Sequence, residues 1–220
     1  MNGRIITVKG VGNVSSKPDM IIISLTQETL ARDYGNTMEK AAADLDEIRK
    51  SIARAGYDPT ELKTSSFNVN TKYERIRDTQ GNYQDQFKGY LCTHRLNFEF
   101  AYDMQELGKV LSEIAGCEAK PKFSIRFSVK DQDAMKERML EDAVANAMSK
   151  ANILAKATGV KLGEIMRIDY SWGEIEFYSP TSFDDCFDSG KKLKRMRDFR
   201  IEPEDVEVSD TVTVVWTIEK

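Results

Sequence analysis

Alternating apolar and polar residues define most of the strands that we predict for this chain. The period of two is regular in segments 65–74 and 90–102, and the last segment, 206–219, is the strongest predicted strand in the sequence. Since successive side chains of a strand point to opposite faces, each segment indicates a strand with one buried face. Shorter apolar runs predict further strands at 4–8, 20–26, 123–129 and 165–178. The polar segment 75–86 between two of these strands favours a long hairpin.

Three other segments repeat their apolar residues every three or four positions, which predicts amphipathic helices. The first runs from 36 to 55. The second follows Asp103, and Glu106 three residues later completes a capping box. The third begins after Asp131 and ends at Gly159, with mainly small apolar residues on its core side. We therefore expect this long helix to lie close to a sheet.

The order of these elements predicts the fold class. Residues 20–129 follow the order β-α-β-β-α-β of a ferredoxin-like split unit, and a long helix and two strands come after it. Paired strands with helices on one face indicate an α+β fold with mostly antiparallel sheets. We expect a single domain over residues 1–220. In an alternative division, the first two strands pair with the last two, so that 1–33 and 131–220 form one subdomain and 34–130 is inserted.

The segment 179–203 lacks any apolar period, and we predict a long loop there. It contains three acidic residues and then the basic cluster from Lys191 to Arg197. We expect this loop to be mobile and to be the first site of tryptic cleavage. The alternative is that its phenylalanines anchor it on a neighbouring subunit.

Composition excludes several protein classes. The 220 residues are 40% hydrophobic and 31% charged, which is typical of folded soluble domains. The net charge of −4 disfavours a general nucleic-acid binder. The three cysteines, Cys92, Cys117 and Cys186, are too widely spaced for a zinc site or a disulfide framework. We see no secretory signal or membrane-spanning run in the sequence, so we expect a cytoplasmic protein.

His94 is the one histidine and the strongest candidate for chemistry. It shares the alternation of Tyr90, Cys92 and Leu96, which places it on the buried face of a strand. The functional interpretation is a general base or the partner of a nucleophile such as a serine or Cys117. The alternative is a strand histidine with a structural hydrogen bond, which we favour.

Other motifs have structural explanations that we favour over functional ones. Gly10-Val11-Gly12 lacks the third glycine and the following helix of a phosphate loop, and indicates a turn or bulge between strands. Asp184, Asp185 and Asp188 lack the spacing of a calcium loop. The basic cluster could contact an acidic partner or RNA, and Cys186 could act as an exposed redox thiol. We therefore predict no catalytic, cofactor or metal site.

The sequence resembles the SIMPL-domain family, a bacterial group that includes periplasmic and immunogenic proteins. The resemblance covers nearly the whole chain and depends on the order and spacing of individually weak motifs. These motifs are residues 6–12 with Lys17-Pro18-Asp19, Gly89-Tyr90, the helix 143–155, residues 159–165 and Ile201-Glu202-Pro203. Many relatives carry a signal peptide, and many have Pro-Gly where this chain has Pro203-Glu204.

The resemblance implies an α+β fold and, in some members, assembly into large homo-oligomeric rings. It also implies a link to stress tolerance, and the family has no established enzymatic activity to transfer. We therefore expect a self-associating, non-enzymatic scaffold or interaction protein whose main partner is itself, with an unidentified protein partner as a further expectation. The alternative is a small-ligand-binding protein or enzyme with its site near the hairpin and His94.

Overall fold

The computed structural model describes residues 4–77, 82–170, 173, 175–185 and 201–220, excluding the side chains of 184 and 185. It contains three α-helices, a short 3-10 helix (Pro59–Glu61) and eight strands among these residues. The strands are β1 (Ile5–Ser16), β2 (Met20–Ala31), β3 (Lys63–Arg77), β4 (Tyr83–Ala101), β5 (Lys122–Ser128), β6 (Lys161–Tyr170), β7 (Tyr178–Asp185) and β8 (Val206–Glu219). The helices are α1 (Tyr34–Arg54), α2 (Met104–Ala115) and α3 (Gln132–Thr158).

The predicted α+β class and the β-α-β-β-α-β order from β2 to β5 are confirmed. The long helix α3 follows, but three strands come after it rather than two. The predicted strand 165–178 is divided, with β6 ending at Tyr170 and β7 beginning at Tyr178. The prediction of a loop at residues 179–185 is wrong because β7 is an edge strand, and Phe183 is the apolar side chain that it packs on the core. A single apolar residue that contacts the core leaves no alternating pattern in the sequence, so no strand was predicted here.

The chain divides into two compact units. Unit 1 consists of residues 1–19, 128–180 and 203–220, and unit 2 consists of residues 20–127 and 181–202. The predicted division at residues 33 and 130 differs from this one. The cause is β2, which pairs antiparallel with β4 from Met20↔Ala101 to Ala31↔Tyr90 instead of joining the C-terminal strands.

Unit 1 is a three-stranded antiparallel sheet in the order β1-β8-β6 with α3 packed on it. The glycines expected at a turn, Gly10 and Gly12, instead lie inside β1, which is longer than predicted. A Cβ atom on Gly10 would overlap the Ala143 carbonyl oxygen, and one on Gly12 would overlap that of Met139. The missing side chains therefore let α3 approach β1 closely, as its small apolar residues predicted.

Polar side chains of α3 cap the outer edge of β1. The Asn146 side-chain oxygen accepts a hydrogen bond from the Val11 N–H at 3.1 Å, and an Asp142 carboxylate oxygen accepts one from the Asn13 N–H at 2.9 Å. Lys150 Nζ donates to the Lys9 carbonyl oxygen at 3.2 Å. Since an open strand edge invites pairing with another chain, α3 protects this edge.

Unit 2 is a five-stranded sheet in the order β3-β4-β2-β5-β7. Both α1 and α2 contribute to its apolar core, in which Phe98, Ile125 and Phe127 are fully buried. Asp33 and Asp103 cap the two helices by accepting hydrogen bonds from first-turn N–H groups. Within the described part of the chain, no helix is long and apolar enough to cross a membrane.

Candidate functional site

His94 lies on β4, on the sheet face that α1 and α2 cover, and is 6% exposed. Its Nε2 is 2.9 Å from the hydroxyl oxygen of Thr64, and Phe67 contacts the ring edge-to-face at 5.0 Å between centroids. Burial, with a smaller effect of Arg49, lowers the pKa of His94. This geometry is that of a neutral histidine held by a structural hydrogen bond.

The proposed nucleophile partners do not supply the hydrogen bond to His94. Its ring partner is a threonine, while Cys117 is 3% exposed in the apolar core of unit 2. Cys92 is a buried free thiol, as is Cys117, and burial raises the pKa of Cys92. A raised thiol pKa lowers the fraction of reactive thiolate, so Cys92 is unsuited to nucleophilic catalysis.

A small polar cluster surrounds this part of the sheet. Gln27 faces His94 across the β2–β4 pair, and Asp44 of α1 accepts hydrogen bonds from the Gln27 amide at 3.1 Å and from the Thr29 hydroxyl. The Oε1 atom of Gln27 is buried and has no hydrogen-bond partner among the residues that the structure describes. This cluster was not predicted, although Gln27 and Thr29 continue the alternation of the buried β2 residues.

Several predicted candidates fall outside what the structure describes. These are Cys186, Asp188, the side chains of Asp184 and Asp185, and the basic cluster from Lys191 to Arg197. Among the described residues, no group of three or more His, Cys, Asp or Glu side chains is arranged to hold a metal ion.

The β3–β4 hairpin of unit 2 carries several exposed aromatic side chains. β2 ends opposite Tyr90 of β4. The β4 residues that precede Gly89 therefore pair with β3 alone and form a two-stranded ribbon. We call residues 72–77 with 83–88 the hairpin arm. Gly89 has a φ of +142°, and a Cβ there would overlap the Ala31 carbonyl oxygen, so the arm starts at a position that requires glycine.

One face of the hairpin arm carries aromatic rings. Tyr73 is paired with Phe87 at a centroid distance of 5.5 Å, Phe87 contacts Tyr90 at 5.6 Å, and Tyr90 contacts Tyr34 of α1 at 5.8 Å. Farther along the arm, the guanidinium carbon of Arg75 lies 4.9 Å from the ring centroid of Tyr83. The exposed fractions of Tyr73, Tyr83 and Phe87 are 55%, 62% and 40%. The rings of Tyr73, Phe87, Tyr90 and Tyr34 thus contact one another in sequence, and the exposed Tyr83 ring lies farther out beside Arg75.

The opposite face of the hairpin arm is mainly polar. Lys88 Nζ lies 2.8 Å from a carboxylate oxygen of Glu74, and this interaction lowers the pKa of Glu74. Ile76 is the apolar residue on this face. The arm therefore has one mainly polar face with an ion pair and one aromatic face that also carries Arg75, Arg77 and, opposite Arg75, Asp85.

Unit 1 has an exposed apolar surface of its own. Ile165 and Ile168 of β6 are cross-strand neighbours of the core residues Trp216 and Val214, yet they are 48% and 54% exposed. On α3, Val144 and Met148 are also exposed. They lie roughly 200° around the helix from the Asp142 and Asn146 side chains that cap β1, and therefore on the side toward β6. We call the surface formed by these four residues the α3–β6 valley.

An acidic groove lies at the amino-terminal end of α3, where the α3–β6 valley ends. Its volume is about 700 Å³, and its apolar lining comprises Leu140, Ile175 and Phe177. Asp133, Glu137 and Glu176 also line it, together with Lys136, whose Nζ lies 3.3 Å from Asp133 and 5.5 Å from the Phe177 ring centroid. We call this space the acidic groove.

The chain thus has an α+β fold, and each of its two units presents an exposed apolar surface. The chain belongs to the SIMPL family, described as proteins of unknown function (DUF541), whose model matches residues 6–216. The sequence resemblance to this family is confirmed.

Three relatives show how far the similarity extends. The chain is 25% identical over 163 residues to a 26 kDa periplasmic immunogenic protein of Brucella melitensis and 24% identical over 163 residues to that of Brucella abortus. Each alignment covers 74% of this chain and 65% of the Brucella protein, which is just under two thirds of its length. The uncharacterized protein YggE of Edwardsiella ictaluri is 20% identical over 215 residues, covering 98% of this chain and 87% of that protein.

Proposed function

We propose that this chain is a self-associating scaffold or interaction protein without catalytic activity of its own. The observation that supports the proposal is the exposed aromatic face of the hairpin arm. A two-stranded ribbon is at best marginally stable alone in water, and contiguous exposed aromatic rings are typical of binding surfaces. A partner that covers this face would stabilise the arm, and a second copy of the chain is the partner we propose.

Light scattering coupled to size exclusion tests self-association. We expect a mass that is a multiple of the 25.0 kDa chain at micromolar concentrations. A mass of one chain across that range would contradict the proposal.

A second candidate function, small-ligand binding or catalysis near His94, has one observation in its favour. Within the described part of the chain, the buried Oε1 of Gln27 has no hydrogen-bond partner, and leaving such an atom unpaired costs free energy unless a ligand binds it. The contacts of Thr64 and Phe67 with the His94 ring argue against an open site. Native mass spectrometry of the purified protein separates the two functions, because a stoichiometric bound small molecule would support this second one.

The biological setting is part of the same proposal. The Brucella relatives are named as periplasmic, whereas the cytoplasmic location expected from the sequence stays a prediction that cell fractionation tests. We also propose a role in stress tolerance, for which survival of a deletion strain under oxidative and heat stress is the measurement.

A further inference from the structure

We propose that the aromatic face of the hairpin arm of one copy docks on the α3–β6 valley and the acidic groove of a second copy. This inference rests on the self-association proposed above and names its surfaces. The two surfaces differ, one aromatic with arginines and the other aliphatic with carboxylates, so the contact is head-to-tail rather than a symmetric pairing of like surfaces.

The apolar parts of the two surfaces complement each other. Tyr73 and Phe87 lie at the base of the hairpin arm with 55% and 40% of their surfaces exposed. The α3–β6 valley presents aliphatic side chains from two elements, among them Ile165 and Ile168 at 48% and 54% exposure. Aromatic rings that pack on exposed aliphatic side chains are common anchors of protein interfaces.

The charged parts follow in the matching order. Along β3, Arg75 and Arg77 come after Tyr73, and both guanidinium groups lie over the Tyr83 ring, at 4.9 and 5.9 Å. Along α3, toward its amino terminus, Glu137 and Asp133 come after Val144. Asp85 faces Arg75 across the strand pair, and Lys136 lies beside Asp133, so each charged part contains one residue of the other sign. The arm keeps a net positive charge from Arg75 and Arg77, and the groove keeps a net negative charge from Asp133, Glu137 and Glu176. Each surface thus changes from apolar to charged in one direction, and the net charges are opposite.

The distance over which the surface changes from apolar to charged is similar on the hairpin arm and along α3. Tyr73 and Arg77 are four strand residues apart, which corresponds to about 13 Å. Met148 and Glu137 are eleven helical residues apart, which corresponds to about 16 Å, and the distance from Val144 to Glu137 is about 10 Å. The apolar and charged parts can therefore meet at the same time.

Charge also argues for a second copy over a nucleic acid. The arginines of the arm suit an anionic partner, and the chain as a whole carries a net charge of −4. Polyanion binding is disfavoured by that net charge. The acidic groove instead supplies carboxylates next to an apolar floor, which matches arginines next to aromatic rings.

Charge reversal tests the contact. We expect Arg75→Glu alone and Glu137→Arg alone each to raise the protein concentration needed for half-maximal assembly by about tenfold or more. In a mixture of the two single variants, opposite charges again face each other wherever copies of different variants meet. The mixture should therefore regain assembly at lower concentration than either variant. The measurement is light-scattering mass against concentration.

Two controls carry the same charge change elsewhere. Lys72→Glu alters the polar face of the arm, and Glu207→Arg alters an exposed position on β8. Both should assemble like the wild type. Circular dichroism confirms that every variant keeps its fold, and the exposed positions of Arg75 and Glu137 make this the expected result.

The outcomes distinguish this inference from the proposed self-association. A wild-type protein that stays monomeric contradicts both. Normal assembly of Arg75→Glu or of Glu137→Arg, or a mixture that fails to regain assembly, overturns only the docking contact. If Arg75→Glu instead abolishes binding of a single-stranded RNA probe without changing the mass, the partner of the arm is a nucleic acid and the inference is wrong.

Discussion

The absence of Cβ atoms at Gly10 and Gly12 lets α3 approach β1 closely. We expect Gly12→Ala to lower the free energy of unfolding by about 1–3 kcal/mol, because its Cβ would overlap the Met139 carbonyl oxygen and backbone must move. The measurement is urea denaturation. As a control, Gly35→Ala should cause no loss, since its Cβ would have Asp33 Oδ1 as its nearest neighbour at 3.6 Å. Equal effects of the two substitutions would contradict the close contact.

The lone histidine gives a second residue-scale prediction. Burial lowers the pKa of His94 in the folded protein below its ordinary value of 6.5. The unfolded chain therefore binds more protons as pH falls below about 6.5, so the stability that neutral His94 contributes is present above that pH and is lost toward the folded-state pKa. We expect the difference in urea midpoint between pH 7.5 and 5.5 to be smaller in His94→Gln than in the wild type. Identical differences would show that His94 does not titrate differently on unfolding.

At the scale of elements, α3 acts as a cover for the β1 edge. We expect Asn146→Ala to cost about 1 kcal/mol, because the Val11 N–H loses its partner at a partly buried position. The matched control is Asn152→Ala, an exposed asparagine on the same helix that gains the same helix propensity. We also expect only Asn146→Ala to bind thioflavin T more readily, since an uncapped edge favours strand pairing. Similar behaviour of both variants would remove the capping role.

The sequence predicted elements best where one face of a strand is exposed. In β3, β4 and β8 apolar and polar residues alternate over much of the strand, and all three strands were found. β1 was predicted only in part. At Gly10 and Gly12 the backbone of α3 occupies the space that a core side chain would fill, so these two positions interrupt the apolar pattern. The pairing of β2 with β4 depends on contacts distant in sequence, which no local period encodes.

The candidate sites show the same limit. The position of His94 on a buried strand face was predicted, because alternation determines which face a residue occupies. Its bond to Thr64, and the cluster of Gln27 with Asp44, depend on register and on the placement of α1. Likewise, Tyr73 and Phe87 were assigned to strands, but their exposure follows from the end of β2, which leaves the arm uncovered.

At the scale of the whole molecule, connectivity couples the two units. The chain passes between them four times, and residues 20–127 of unit 2 connect β1 to the rest of unit 1. If unit 2 unfolded while unit 1 stayed folded, unit 1 would have to keep the two ends of a disordered loop of about 110 residues close together. Closing a loop of that length costs about 4 kcal/mol, which is a large share of the 5–15 kcal/mol stability of ordinary domains. The two units should therefore unfold together.

A core substitution in unit 2 tests this coupling. Phe98→Ala removes a fully buried ring and should cost about 3–5 kcal/mol. Unit 2 contains no tryptophan, so tryptophan fluorescence reports unit 1, whereas far-ultraviolet circular dichroism reports both units. We expect the two signals of the variant to shift to the same lower urea midpoint, while Phe67→Ala, at an exposed phenylalanine, shifts neither by a comparable amount. A fluorescence midpoint that stays at the wild-type value while the dichroism signal falls earlier would show that unit 1 holds together without unit 2.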